Sequence, residues 1–143
     1  MQVGERMSQP VVTVTSTTSV AAAMKLLRER HIRRLPVIDD DVLVGIVSER
    51  DLLRAMPSPA TLLNVWEAAD LLDRLLVRDV MVRDVVTVEL STPIQAAAQL
   101  MVDHTIGGLP VVNGTKLVGI ITETDIFRVF CSLFNGGAVT LPA

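Results

Sequence analysis

The sequence has no tyrosine and few other aromatic residues, with one tryptophan and three phenylalanines in 143 residues. Proteins that bind single-stranded nucleic acid usually stack bases on aromatic side chains, so this scarcity argues against such a partner. Cysteine occurs once, as Cys131, which excludes an internal disulfide and favours a reducing, cytoplasmic location. Apolar runs such as 42–47 are far shorter than the roughly 20 residues of a membrane-spanning helix. The amino terminus shows no basic flank followed by an apolar segment, so we expect no secretory signal.

The charge balance excludes a further class of protein. Thirteen basic and 16 acidic residues give a formal net charge of -3 and a pI near 5.3, which is not the basic footprint of a nucleic-acid binder. Half of the residues are hydrophobic, which is too many for a disordered chain and enough for the core of one domain or two small ones. Most of the basic residues are arginines, whose planar guanidinium groups suit phosphates and carboxylates.

The chain contains an internal repeat. Residues 3–55 align without a gap with residues 77–129 at an offset of 74, and 21 of the 53 positions are identical. The shared runs include Val-Val-Thr-Val, Leu-Pro-Val and Leu-Val-Gly-Ile. Two copies at this long period predict a duplicated α/β unit with a pseudo-twofold axis rather than an open solenoid.

Each copy has the pattern β-α-β-β-α. Short β-branched or apolar runs predict strands at 11–14, 35–38, 43–47 and 117–121. The residues 39–41 and Asn113-Gly114 predict the turns between paired strands.

The helix boundaries are predicted from capping residues. Thr18 and Thr92 are the expected N-caps of the first helix in each copy. Ser48 and Thr122 are expected to open the last helix of each copy, and the second of these helices runs to about Leu133 before a stop at 136–137.

Residues 57–76 predict a connecting helix rather than a flexible linker. Pro57 and Pro59 end the preceding helix, and apolar residues then recur at helical spacing. We expect this helix to lie over the two units and to bury Trp66; the alternative is an exposed apolar face that another chain covers. The predicted boundaries are 1–56 for the first unit, 57–76 for the helix, 77–134 for the second unit and 135–143 for a tail.

Taken together, the motifs resemble those of CBS domains, which pair into what is often called a Bateman module. They are Val-x-x-x-Met at 3–7 and 77–81, Ile-Arg-Arg-Leu-Pro-Val at 32–37 with Ile-Gly-Gly-Leu-Pro-Val at 106–111, and Gly-Ile-Val-Ser-Glu-Arg-Asp at 45–51 with Gly-Ile-Ile-Thr-Glu-Thr-Asp at 119–125. Residues 56–67 also look like the connector of bacterial acetoin-utilisation-type CBS proteins. The resemblance implies an α/β (α+β) fold of two pseudo-twofold-related β-α-β-β-α units packed sheet to sheet, with a connecting helix.

The resemblance also implies a function, which is to bind an adenine nucleotide (AMP, ADP or ATP) in clefts between the two units and to signal by reorientation. In the family's Gly-h-x-Ser/Thr-x-x-Asp motif (h for apolar), the Asp holds both ribose hydroxyls and the Ser or Thr reaches the phosphate. These positions are Asp51 with Ser48 and Asp125 with Thr122. The chemistry fits, because an ionised carboxylate accepts two hydroxyl hydrogen bonds and a hydroxyl at a helix start suits an anion.

The remaining site residues also follow from the resemblance. Thr13 and Thr87 match positions where the family contacts the base or sugar. The apolar walls of the clefts are expected from Ile32, Leu35 and Pro36, and from Ile106, Leu109 and Pro110.

Both motifs also fit a capping box, in which the hydroxyl and the acid satisfy backbone N–H groups, and the two roles can coexist. The copies differ where Arg33-Arg34 is replaced by Gly107-Gly108. A basic residue before the Leu-Pro step often approaches phosphate in the family, so Arg34 and Arg33 would charge one cleft only; the alternative is a solvated surface pair. We therefore predict one tighter and one weaker site.

An enzyme has little support in the sequence. The glycines form neither Gly-x-Gly-x-x-Gly nor a P-loop, and His31 and His104 fit helix C-termini without metal-ligand spacing. The alternatives to nucleotide binding are a ligand-free dimerisation scaffold and a binder of another adenosyl ligand such as S-adenosylmethionine. Because CBS pairs usually associate face to face, we expect a homodimer. We also expect that the dimer regulates another protein, which is unknown, and that it binds neither nucleic acid nor membrane.

Overall fold

The computed structural model describes residues 1–57 and 63–134. After a short 3₁₀ helix, Val3–Glu5, the helices in chain order are α1 (Val20–Arg30), α2 (Glu49–Ala55), α3 (Val65–Arg74), α4 (Val77–Val80), α5 (Ile94–His104) and α6 (Glu123–Leu133). The strands are β1 (Arg34–Asp39), β2 (Val42–Ser48), β3 (Val88–Glu89), β4 (Gly108–Asn113) and β5 (Lys116–Thr122).

Contacts along the chain define two compact units that do not follow the order of the repeats. Residues Val12–Val85 form one of them, which we call the Asp51 unit. Met1–Val11 join the residues from Val86 onward in the other, which we call the Asp125 unit. Each unit is therefore completed by the Val-x-x-x-Met segment of the other repeat. The domain boundaries proposed from the repeat stay a prediction.

The Asp51 unit contains the antiparallel pair β1–β2, in register from Arg34 opposite Ser48 to Asp39 opposite Val42. The strand predicted at 11–14 is wrong for this copy, since only Val14 pairs, as a single parallel bridge to β1. Val14 donates to the carbonyl of Pro36 and accepts from Ile38. Because Pro36 has no N–H, the ladder cannot continue toward the preceding residues.

The Asp125 unit contains a three-stranded sheet in the order β3-β4-β5. Strand β3 runs parallel to β4, with Val88 opposite Val111, and β4 pairs antiparallel with β5. The predicted hairpin forms, but its turn is one residue later than predicted: Asn113 ends β4 opposite Lys116, and the turn residues are Gly114 and Thr115. Gly114 has the positive φ of 66° that favours glycine.

Two predicted N-caps are wrong by one residue. The N-cap of α1 is Ser19, whose hydroxyl accepts from the backbone N–H of Ala22 at 3.1 Å, and the N-cap of α5 is Pro93. The hydroxyls of Thr18 and Thr92 instead accept from the backbone three residues earlier, at 3.1 and 3.0 Å. They close the turn before each helix, a role that threonine fills as readily as a cap.

Each unit has its own hydrophobic core. In the Asp125 unit, Val3 is fully buried and belongs to the same cluster as Leu109 and Ile121. In the Asp51 unit, Val77 occupies the equivalent place beside Leu35. The start of each repeat is thus part of the core formed by the other repeat.

A connecting helix forms but is shorter than the predicted 57–76, since residues 63–64 and 75–76 are not helical, and the expected burial of Trp66 is wrong. Helix α3 begins at Val65, and the Trp66 side chain is 83% exposed. Leu72 and Leu75 pack against the core of the Asp51 unit. At about 100° per residue, Trp66 lies roughly 120° around the helix from Leu72, which turns it toward solvent. The predicted helix breaker at Pro59, the apolar position Leu62 and the stop at 136–137 lie outside the described residues.

Candidate ligand-binding site

Asp51 is held at the start of α2 by a complete capping box. Its Oδ2 accepts from the backbone N–H of Ser48 at 2.8 Å and from the Ser48 hydroxyl at 2.9 Å. The Asp51 backbone N–H donates to the Ser48 hydroxyl at 3.2 Å. The Asp51 Oδ1 has no hydrogen-bond partner among the described residues, and the side chain is half-buried. One carboxylate oxygen is therefore fixed and the other is open to a donor.

Asp125 has the same box at the start of α6 but more partners. Its Oδ2 accepts from the backbone and hydroxyl of Thr122 at 2.9 and 3.1 Å. The Ser8 hydroxyl lies 3.2 Å from Oδ1 and 3.4 Å from Oδ2, and Arg128 Nη1 is 3.8 Å from Oδ1. Asp125 is 5% exposed. Both of its carboxylate oxygens are therefore engaged.

The strand pairing brings the other predicted polar residues of the Asp51 unit to its capping box. Arg34 is opposite Ser48 in the β1–β2 register, and the Arg33 carbonyl accepts from the backbone N–H of Glu49 at 2.7 Å. Arg33 is exposed and Arg34 is half-buried. The backbones of two arginines thus adjoin Ser48 and Glu49 at the start of α2.

The equivalent strand start in the Asp125 unit carries no side-chain charge. Gly108 is opposite Thr122, and the Gly107 carbonyl accepts from the backbone N–H of Glu123 at 3.0 Å. The backbone geometry is therefore repeated while the charge is not.

The predicted base-contact residues lie beside the Leu-Pro strands. Thr13 and Thr87 are both exposed, and each immediately precedes a buried valine, Val14 or Val88, that pairs with the Leu-Pro strand of its unit. The threonines are thus placed along the same strand that begins near the capping box.

The predicted wall residues differ in exposure. Ile32 and Ile106 are half-buried, whereas Pro36 and Pro110 are fully buried in their units. The isoleucines therefore retain surface that a ligand can contact, and the prolines lie within the packed interior.

The Asp51 unit also has an open depression of about 700 Å³ beside α1. Of the predicted site residues it includes Thr13 and neither Ser48 nor Asp51. Its lining residues are Thr13, Val14, Thr15, Thr18, Ala22, Lys25, Leu26, Glu29, Ile38, Asp40 and Asp41. This depression is separate from the capping box.

Two further structural facts bear on function. No helix within 1–57 and 63–134 is long and apolar enough to cross a bilayer. Within the same ranges, no group of three or more His, Cys, Asp or Glu side chains is arranged to hold a metal ion.

The comparison with protein families identifies the repeat. The family model for the CBS domain matches residues 3–58 and 77–132. The chain belongs to the CBS domain family. A CBS domain-containing protein of Dictyostelium discoideum is 36% identical over 135 residues, which cover 93% of each chain.

Solved CBS pairs have the same fold. CBSX2 in complex with AMP is 34% identical with a TM-score of 0.79, and the match covers 92% of this chain and 97% of that one. A CBS pair solved with 5′-methylthioadenosine and S-adenosyl-L-methionine is 30% identical with a TM-score of 0.78, covering 93% and 98%. A Vibrio cholerae protein described as an acetoin utilization protein is 31% identical with a TM-score of 0.79, covering 99% and 98%.

Seven further curated relatives are longer proteins, of which this chain spans between 21% and 62%. Some of them are enzymes, such as a homoserine O-acetyltransferase of Methanococcoides burtonii, of which the CBS match covers 24%.

The sequence did not reveal the partners that distinguish the two CBS aspartates. Ser8 was overlooked because it lies 117 residues from Asp125 and belongs to the other repeat. The only signal available was the alignment, in which Ser8 falls opposite Val82. Arg128 gives no such signal, because Arg54 stands at the equivalent position of the first repeat.

Proposed function

We propose that this chain is a regulatory CBS pair that binds an adenosyl ligand through its ribose, with no reaction of its own. The observation that carries the proposal is the Asp51 carboxylate, whose Oδ2 is held by Ser48 while Oδ1 has no partner in the described part of the chain. An ionised carboxylate so oriented can accept two hydroxyl hydrogen bonds from a ribose diol. The Asp125 carboxylate is the ribose contact of a second site.

The ligand class is supported by the relatives. One solved pair binds AMP and another binds 5′-methylthioadenosine and S-adenosyl-L-methionine. Arg33 and Arg34 lie beside the Asp51 capping box, so the Asp51 unit is the one suited to a phosphate. Ser48 and Thr122 support the aspartates and approach the phosphate, and Thr13, Thr87, Ile32 and Ile106 contact the base, with Pro36 and Pro110 behind them.

The regulatory step follows from differential binding. A ligand shifts an equilibrium between two conformations only by the difference in its affinity for them, and such coupling is typically about 1–3 kcal/mol. We propose that a partner protein in the cytoplasm reads this shift.

A homodimer is part of the same proposal. Helix α6 exposes an apolar face in which Phe127, Phe130 and Leu133 are 65%, 61% and 67% exposed. Apolar surface of this kind is normally covered in an assembly. Light scattering at micromolar concentration is expected to give twice the chain mass, and a monomer mass contradicts the dimer.

The test is a ligand panel with matched variants. AMP, ADP, ATP, 5′-methylthioadenosine and S-adenosylmethionine are titrated calorimetrically and by thermal shift. Asp51→Asn with Asp125→Asn keeps the side-chain shape and removes the charged acceptors, so binding should be lost. Asp79→Asn is the control, because Asp79 caps α4 at 2.9 Å from the Leu76 N–H and lies outside both motifs.

Each outcome of the panel decides between functions. Binding that is lost in the double variant and kept in Asp79→Asn supports the proposal. No binding of any adenosyl compound contradicts it and favours a scaffold in which both boxes only cap helices. Binding confined to 5′-methylthioadenosine and S-adenosylmethionine assigns the site to ligands without a phosphate.

A further inference from the structure

The two aspartates differ in one neighbour that comes from the far end of the chain. In the Asp125 unit the segment 1–11 places Ser8 on β5, where its backbone exchanges hydrogen bonds with Ile120 at 2.8 and 3.1 Å. The Ser8 hydroxyl then reaches both oxygens of Asp125.

The Asp51 unit repeats this arrangement without the hydroxyl. Val82 exchanges backbone hydrogen bonds with Ile46, both at 2.9 Å, in the same place on β2. The valine side chain has no donor, so within the described residues the Asp51 carboxylate has hydrogen bonds with Ser48 alone. Ser8 and Val82 thus occupy equivalent positions in the two units, one with a side-chain hydroxyl and one without.

The carboxylate of an aspartate offers about four lone-pair positions. On Asp51, Ser48 uses two of them and leaves Oδ1 to a ligand. On Asp125, Thr122 uses two and Ser8 lies within hydrogen-bond reach of both oxygens. Arg128 adds little, because its side chain is 75% exposed and the ion pair is long at 3.8 Å.

We propose that Ser8 competes with the ribose hydroxyls for Asp125, so that the Asp125 site binds an adenosyl ligand more weakly until the Ser8 hydrogen bond is released. This inference rests on the function proposed above and assigns the weaker site to the Asp125 unit. Ser8 does not need to orient the carboxylate, since Thr122 makes the same two hydrogen bonds to Asp125 that Ser48 makes to Asp51. Ligand binding at Asp125 is thereby coupled to the segment 1–11.

The test exchanges the two side chains. Dissociation constants for AMP and 5′-methylthioadenosine are measured by calorimetry, with Asp51→Asn used to isolate the Asp125 site and Asp125→Asn to isolate the Asp51 site. Adding Ser8→Ala should tighten the Asp125 site about three- to tenfold, the range that one released hydrogen bond represents. Adding Val82→Ser should weaken the Asp51 site by a similar factor.

A second measurement separates competition from a structural role. Ser8→Ala removes a native hydrogen bond, so the unliganded protein should melt slightly earlier while its Asp125 site binds more tightly. A purely structural serine would lower both stability and affinity. Weaker or unchanged binding in Ser8→Ala, or unchanged binding in Val82→Ser, overturns the inference and leaves the proposed function standing. Failure of the parent to bind any of the five adenosyl compounds of the panel at millimolar concentration overturns both.

Discussion

The motif glycines provide a quantitative test of how the units are built. The three atoms nearest to a Cβ added at Gly119 all belong to the side chain of Met7: its sulfur, its Cγ at 3.0 Å and its Cε at 3.2 Å. A Cβ added at Gly45 would lie 2.6 Å from the Met81 sulfur and also 2.9 Å from the Val82 carbonyl oxygen. The first clash can be relieved by a flexible side chain, whereas the second involves backbone.

The two substitutions should therefore have different costs. Overpacking a core typically destabilises by about 1–3 kcal/mol. We expect Gly119→Ala near the lower end, at about 1 kcal/mol, because Met7 can rotate. We expect Gly45→Ala near the upper end, at about 3 kcal/mol, because two hydrogen bonds to Ile46 hold the Val82 backbone in place.

The methionines then provide a rescue experiment. Met7→Ala alone should destabilise by about 1–2 kcal/mol, below the usual range for a fully buried methionine because Met7 is half-buried. In the Gly119→Ala background the same change removes the clash, so it should cost about 1 kcal/mol less. Met81→Ala should rescue Gly45→Ala less completely, since the Val82 oxygen remains.

The assay is urea denaturation of the four proteins in each double-mutant cycle, with unfolding monitored by circular dichroism. Additive effects of Gly119→Ala and Met7→Ala would refute the packing of residues 1–11 in the Asp125 unit. Equal costs for the two glycine substitutions would refute the argument from backbone rigidity.

Two further predictions concern single residues. The Ser16 hydroxyl and backbone N–H donate to Asp39 and hold its pKa below the ordinary 3.8. Ionised Asp39 therefore stabilises the fold above pH 3.8, and this contribution is lost as the pH falls through the lowered pKa. The melting-temperature gap between the protein and Asp39→Asn should accordingly shrink below pH 3.8, and a constant gap contradicts the linkage. Trp66 is the single tryptophan and is exposed, so its fluorescence should be quenched by acrylamide almost as readily as that of free tryptophan, whereas strong protection would show that it is covered.

Local features of the fold were predictable because they depend on neighbours in the sequence. The capping boxes formed at the predicted Ser48 and Thr122, since a hydroxyl and an acid three residues apart satisfy each other's backbone groups. The β1 and β4 strands were recognisable from the Leu-Pro-Val runs. The N-caps at Thr18 and Thr92 failed for a local reason too, because a threonine closes a turn about as well as it caps a helix.

The repeat alone did not predict that the Val-x-x-x-Met segment of each repeat packs in the unit formed by the other repeat. Both copies carry a Val-x-x-x-Met segment and both carry a motif glycine, so Met7 could fit Gly45 or Gly119 equally well on pattern alone. Only tertiary structure distinguishes these pairings, and it pairs Met7 with Gly119. The same ambiguity concealed the contact between Ser8 and Asp125.

Duplication gives this chain two carboxylates with the same backbone support, so any difference between the two sites must come from positions where the copies have diverged. Two of these differences adjoin the capping boxes and bear on the proposals. Arg33-Arg34 in the Asp51 unit correspond to Gly107-Gly108 in the Asp125 unit, so the charge at the start of the strand differs. Val82 in the Asp51 unit corresponds to Ser8 in the Asp125 unit, so the number of hydrogen bonds to the aspartate differs. By the proposals above, the first change favours an anionic ligand in the Asp51 unit and the second favours ribose binding there. Because Ser8 belongs to the segment 1–11, the residue that we propose to weaken the Asp125 site comes from the first repeat, and affinity at either aspartate cannot be inferred from its own repeat alone.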